Sequence, residues 1–244
     1  EGAYTGHHPT IPIPVNPWNK NYWVGSSSSG SGVATSAGLC FASLGSDTGG
    51  SIRYPCAACN LTGIKPTWGR VSRHGVFPLA GTLDHIGPMA RSTADCAAIL
   101  QVISGWDVHD PTSIDTPVPE YSAEVGKNIC GMRIGIDRLY SFDGTDPQIV
   151  TALEQAIYVF EGLGARLVEV RMPNYDGLIE AWIMMCAIET AVAHQDTYPA
   201  RGDEYGPGLA QLIGEGHTTT GMKAAHGHHL RVLFTSAFIT MFGE

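Results

Sequence analysis

The sequence predicts an α/β fold: a mixed, mostly parallel sheet wrapped by helices. Three observations point there. Residues 132–170 read as strand, helix, strand, the unit that joins two parallel strands. Residues 64–91 hold short strand-like pieces between glycine and proline breakers. With 43% apolar residues in 244, the chain has the material for one large core.

Taken in order, residues 1–22 are rich in Pro, His and Asn and read as irregular. Residues 31–44, "SGVATSAGLCFASL", are small and apolar without proline, which predicts a tightly packed helix opened by Gly30 and Gly32. Residues 45–63, "GSDTGGSIRYPCAACNLTG", are punctuated by Gly and Pro and predict loop and short turns. Residues 92–104, "STADCAAILQVIS", predict a helix capped by Ser92 or Thr93, with Ala97, Leu100 and Ile103 on one face. The Pro-rich piece from Asp110 to Pro119 reads as a long surface loop. "MRIGID", 132–137, is a compact apolar strand. Asp146 then offers an N-cap with Pro147 at the first helical position. Ile149, Val150, Leu153, Ile157 and Phe160 share a stripe, and Gly162 and Gly164 end the helix. "ARLVEV" is the second strand. From 174 onward the pattern is mostly helical, with a loose Gly/Pro/His-rich middle. No internal repeat and no domain boundary emerges, so residues 1–244 are expected to form a single domain.

The formal net charge of −9, without a run of Lys or Arg, argues against direct nucleic-acid binding. The most apolar helical stretch, Ala181 to Ala193, is interrupted by Glu189 and too short for a membrane span, so no membrane partner is expected. No signal peptide is recognisable. The chain starts at Glu1 and stops inside the apolar "FITMFGE", which reads as part of a longer protein cut at both ends. Six cysteines in apolar contexts predict reduced thiols and a cytoplasmic location. Cys56 and Cys59 form one CxxC, without the βαβ context of a redox motif or the second ligand pair of a zinc site.

The chemistry concentrates in "GSSSSGSG" at 25–32 and "GSDTGGS" at 45–51. By composition the first could be a flexible linker. Together, however, they place hydroxyls among glycines, and glycine lets backbone N–H groups approach a ligand. A turn such as Asp47-Thr48-Gly49-Gly50-Ser51 can aim several N–H groups at one point, as an oxyanion hole does. A serine ending such a turn is a candidate nucleophile, with capping of the next segment as the alternative. The patterns G-x-S-x-G and S-x-x-K are absent. His226, His228 and His229, with His7 and His8, lack the spacing of a known metal site, so no metal is expected. Trp18, Trp23, Trp68 and Trp106 are expected in the core, and Asp84 in "TLDHIGP" is expected to cap a turn.

The run from "GSSSSGSGVATSAGLCFASLGSDTGGSIRYPCAACNLTGIKPTWGRVSRHGVFPLAGTLDHIGPMAR" through "STADCAAILQVISG" closely resembles the amidase signature family. The resemblance is strong over about residues 24–106 and extends weakly through "GMRIGID", the 147–163 helix and "GARLVEVRMP". It implies the amidase-signature fold, incomplete at both ends here, and amide hydrolysis by a Ser–Ser–Lys triad without a metal or organic cofactor. Ser51 matches the nucleophile that forms an acyl-enzyme, and Ser27 matches the bridging serine that shuttles the proton. The N–H groups of Thr48, Gly49, Gly50 and Ser51 match the oxyanion hole; Asp47 and Arg53 match loop-holding positions. The bridging serine of the family follows a cis peptide bond, which implies cis at Ser26–Ser27.

Ser26 and Ser29 stand where the family loop has glycine. The family's catalytic lysine matches neither Lys20 nor Lys65 and is expected upstream of Glu1, so this piece alone is expected to be inactive. The implied reaction converts a small-molecule carboxylic amide to acid plus ammonia or amine, and the implied partner is that amide, with a homodimer left open. The alternatives are the A subunit of a glutamyl-tRNA(Gln) amidotransferase, with glutamine as amide donor, and a non-catalytic paralogue.

Overall fold

The structure is a computed structural model that describes residue 8 and residues 10–243. The chain divides into two compact units: one comprises Glu1–Val125 with Ile183–Thr220, the other Gly126–Trp182 with Gly221–Glu244.

The first unit is built on three strands, β1 (Ala42–Asp47), β2 (Thr62–Gly63) and β3 (His85–Ala90), in the order β1-β3-β2. Both pairings are antiparallel; Gly45 lies opposite Gly87 and Asp47 opposite His85. Helix α1 (Ser29–Ser36) packs on β1 and β3, α2 (Arg53–Cys59) on α1 and β2, and α3 (Thr93–Ile103) on β3. Ile52, Cys56 and Met89 form one buried cluster, with Leu61 against it. Val71, Ile86 and Leu100 form a second, joined by Ile64, Ile103 and Tyr121. Ser92 caps α3 by accepting from Asp95 N–H at 3.1 Å, and Ala97 and Leu100 are buried on its inner face.

The second unit carries the strand–helix–strand motif. After the short α4 (Tyr121–Glu124) of the first unit come β4 (Arg133–Ile136), α5 (Arg138–Phe142), α6 (Pro147–Gly162) and β5 (Arg166–Glu169). β4 and β5 are parallel, Arg133 opposite Arg166. Asp146 accepts from Gln148 N–H with Pro147 in the first turn, and Gly164 takes a left-handed φ of 84° after the last turn. Three further helices follow, α7 (Leu178–Ala193), α8 (Pro207–Thr218) and α9 (Gly221–Gly243). No described helix is long and apolar enough to cross a membrane.

The α/β class holds, but the balance of the sheets differs from expectation. Among the described residues only β4–β5 is parallel, and the three-stranded sheet is antiparallel throughout. One strand–helix–strand unit does not dictate how the remaining strands pair. Two local readings change as well. The stretch read as one helix over 31–44 ends at Ser36, and its last residues enter β1, whose small side chains become a strand by pairing with β3 rather than by propensity. The glycine- and proline-marked 45–63 contains α2, because Pro55 falls in the first turn, where its missing N–H has no helical partner to lose.

Gly87 marks the tightest point of the sheet. A Cβ there would collide with the Ile64 carbonyl oxygen and crowd Pro66 and Ile52. The obstacle is backbone and cannot rotate away. Gly87→Ala is therefore expected to lower stability by about 2–4 kcal/mol, read as a shift of the urea midpoint at unchanged slope.

Candidate active site

β1 delivers Asp47 to the start of a turn that leads into α2. The Asp47 side chain is completely buried. Its Oδ1 accepts from Gly50 N–H at 2.7 Å and its Oδ2 from Ile52 N–H at 3.1 Å. Arg53 closes the ring, donating from Nη2 to Oδ1 at 2.9 Å and from Nε to Oδ2 at 3.0 Å. One carboxylate thus folds residues 47–53 around itself. Gly50 has φ +140°, and a Cβ there would strike the Tyr54 ring.

Burial alone would raise the Asp47 pKa. The hydrogen bond and charge of Arg53, helped by the N–H groups of Ile52 and Gly50, outweigh it and hold the carboxyl below its ordinary 3.8. These groups act on the charged form.

The serine-rich loop sits against this turn. Gly25 has φ +78° where the chain passes so close to Pro55 that a Cβ would meet its backbone. The Ser26–Ser27 peptide bond is cis, as the resemblance implies. Ser28 then stitches the loop to β1. Its Oγ donates to Ser46 O and accepts from Ser46 N–H, both at 3.2 Å. Its own N–H donates to Ser51 O at 3.4 Å. The segments bearing Ser27 and Ser51 therefore touch through their backbones. Ser27 is exposed and Ser51 half-buried, and neither hydroxyl bonds to another described residue.

The turn's N–H groups divide. Gly50, expected among the oxyanion donors, has its N–H turned inward onto Asp47. Those of Gly49 and Ser51 donate to no described residue. Thr48, the fourth expected position, is anchored by its side chain, which donates to Asp84 Oδ1 at 2.5 Å.

Asp84 is a turn cap, as its place in "TLDHIGP" suggests. It also accepts from Leu79 N–H at 2.9 Å and from Ala80 N–H at 3.1 Å. The 79–84 turn is gripped in turn by α7. Glu189 accepts from Thr82 N–H at 2.8 Å and Thr82 Oγ1 at 2.5 Å, and Thr190 Oγ1 donates to Leu79 O. Glu189, noticed in the sequence only as a break in an apolar stretch, is a clamp.

A second group escaped the sequence entirely. His85 Nδ1 lies 3.1 Å from Asp47 O, and its Nε2 lies 3.1 Å from Lys65 Nζ. Neighbours 20 and 38 positions apart leave no local signature.

Other expectations resolve differently. Trp18, Trp23 and Trp106 are more than half exposed, contrary to their expected core role; the Trp18 indole has a polar end, whose N–H donates to Cys59 O at 2.9 Å. Trp68 lies beneath the Arg73 guanidinium, 4.5 Å from ring centroid to Cζ. Among the described residues no group of His, Cys, Asp and Glu could hold a metal ion; His8 is described and His7 lies outside the described residues. Cys56 and Cys59 are buried and free, and burial pushes the Cys56 thiol up to about 12.

Asp47→Ala removes acceptors for the backbone N–H groups of Gly50, Ile52 and Arg53 and for the Arg53 guanidinium, and is expected to destabilise by about 3–5 kcal/mol. The native carboxyl titrates below its ordinary value, so its stabilisation is complete above pH 3.8 and is lost as pH falls through the folded-state pKa. Asp47→Asn should flatten that acid limb in urea melts followed against pH.

A family model described as Amidase matches residues 2–224. AmiD of Mycobacterium tuberculosis (strain ATCC 25618 / H37Rv), which carries an amidase name, is 47% identical over 246 residues, covering 100% of this chain and 51% of its own length. The A subunit of the glutamyl-tRNA(Gln) amidotransferase of Chromohalobacter salexigens is 48% identical over 176 residues, 72% of this chain and 36% of that protein. A solved structure of a bacterial aryl acylamidase of the amidase signature enzymes superposes with a TM-score of 0.80 at 25% identity, covering 94% of this chain and 49% of that one. The chain thus spans about half the length of AmiD and a smaller share of the amidotransferase protein. It belongs to the amidase signature family.

Proposed function

We propose that this chain supplies the nucleophile, the proton-bridging serine and the oxyanion-binding turn of an amidase that cleaves a small carboxylic amide. The observation that carries the reading is the contact between the two motif loops. Ser28 N–H on Ser51 O joins the cis Ser26–Ser27 segment to a turn whose Ser51 hydroxyl is unengaged and partly accessible.

In this reading Ser51 Oγ attacks the amide carbonyl, and its proton passes to Ser27. The N–H groups of Gly49 and Ser51 receive the developing oxyanion, each such donor being worth about 3–4 kcal/mol. Ser27 returns a proton to the leaving amine as the C–N bond breaks, leaving an acyl-Ser51 ester. Water attacks that ester and releases the acid. Gly50 serves the same chemistry indirectly, by keeping its N–H on Asp47.

The proton that Ser27 relays needs a base. Lys65 is engaged with His85, and Lys20 lies just before the loop, matching no base position. We assign the base to a lysine outside these 244 residues. The reading extends to a cytoplasmic setting, supported by six free cysteines. The likeness to the A subunits of amidotransferases keeps a second donor in view, the side-chain amide of glutamine.

Labelling with a serine-reactive fluorophosphonate, mapped by mass spectrometry in the protein that carries this chain, tests the nucleophile. The label should fall on Ser51 and vanish in Ser51→Ala; a label elsewhere overturns the reading. Ser27→Ala should slow amide turnover by about 10²-fold or more at unchanged fold. Residues 1–244 alone should show no appreciable turnover of simple amides or glutamine; robust hydrolysis would refute the external base.

A further inference from the structure

The serine chemistry makes no use of one half-buried contact behind the turn. His85 opens β3 opposite Asp47, the last residue of β1. A carbonyl oxygen can only accept, so the His85 nitrogen facing Asp47 O must be the protonated one, Nδ1–H. The neutral ring then has a lone pair on Nε2, and Lys65 Nζ, 3.1 Å away, is the donor that fills it. The ring is a rigid spacer with one end on Lys65 and the other on the residue whose carboxylate folds the turn.

We propose that His85, gripped by Lys65, is a positioning residue that fixes the Asp47 carbonyl and through it the Ser51 turn. The role rests on the amidase reading above. The Asp47 carboxylate fixes the turn from inside, through Gly50, Ile52 and Arg53. Its carbonyl fixes where the turn leaves the sheet. Both ends must hold for the Gly49 and Ser51 N–H groups to stay aimed together, and a displacement of about 1 Å in such a constellation can cost about 10²-fold in rate.

The charged groups facing His85 are Lys65, Asp47 and, beyond them, Arg53. Burial, then the Lys65 charge, push the His85 pKa below its ordinary 6.5; its hydrogen bonds with the Asp47 and Leu83 backbone and the Asp47 charge oppose them and do not prevail. The ring is therefore neutral at neutral pH. Protonation puts a second N–H against Lys65 and breaks the grip. The contribution is whole above 6.5 and is lost as pH falls through the depressed value.

Glutamine at this position keeps one donor and one acceptor but does not titrate. The test compares fluorophosphonate labelling of Ser51 across pH in wild type, His85→Ala, His85→Gln and Lys65→Met, with thermal melts to confirm folding. Imidazole ¹⁵N–¹³C spectra report the His85 tautomer. His85→Ala and Lys65→Met should label about tenfold or more slowly. His85→Gln should stay near wild type and lose the acid limb assigned to the ring. The wild-type ring should be Nδ1–H, and Lys65→Met should raise its titration midpoint. Wild-type rates in His85→Ala, or a folded His85→Gln as slow as His85→Ala, overturn the proposal. If wild type takes no label at Ser51, the amidase reading itself fails, and the spectra then judge the pair alone: an Nε2–H ring, or a midpoint that ignores Lys65→Met, overturns it.

Discussion

The turn from Asp47 to Arg53 depends on one buried carboxylate. Asp47 ends a strand with its charge completely buried, a placement that is unfavourable unless every oxygen finds donors. The donors it finds are the backbone N–H groups of its own turn and the guanidinium of Arg53. Electrostatic need and loop shape are therefore the same constraint. The chain must curl around the charge, and curling places Ser51 at the rim. Gly50 is required there because its φ of +140° and the nearby Tyr54 ring leave no room for a side chain.

From this centre the supports radiate along separate elements. The serine-rich loop is pinned to β1 by Ser28. Thr48 is pinned to Asp84, and the Asp84 turn to α7 by Glu189 and Thr190. The far side of Asp47 is held by His85 and Lys65. A serine hydroxyl is a weak nucleophile, and the proposed amide chemistry would need its oxyanion donors already in place rather than assembled during reaction. A turn over-determined from several sides meets that need. The division of labour among its N–H groups follows: Gly50 holds the shape, while those of Gly49 and Ser51 stay available.

What the sequence disclosed follows from how local each signal is. The α6 start was legible because Asp146 and Pro147 are adjacent, and α3 because Ser92 reaches only to Asp95. The two motif loops were legible because each is a contiguous run, 25–32 and 45–51. The pairing of β1 with β3 was not, since Ala42–Asp47 is small and polar and becomes a strand only through a partner some forty positions away. Separations of 38 and 20 positions hid the contacts of His85 with Asp47 and Lys65, and one of 107 positions hid the Glu189 clamp. The inward turn of the Gly50 N–H onto Asp47 was not legible, because a glycine-rich motif reveals that N–H groups can approach a ligand and not which of them a buried aspartate takes.

Amide hydrogen exchange, resolved residue by residue across the turn, tests the central claim most directly. If Asp47 organises the loop, the Gly50 and Ile52 amides exchange slowly at neutral pH while those of Gly49 and Ser51 exchange fast, and the protection of Gly50 disappears in Asp47→Ala. Equal, rapid exchange at Gly49 and Gly50, or protection of Gly50 that survives removal of the carboxylate, would contradict it.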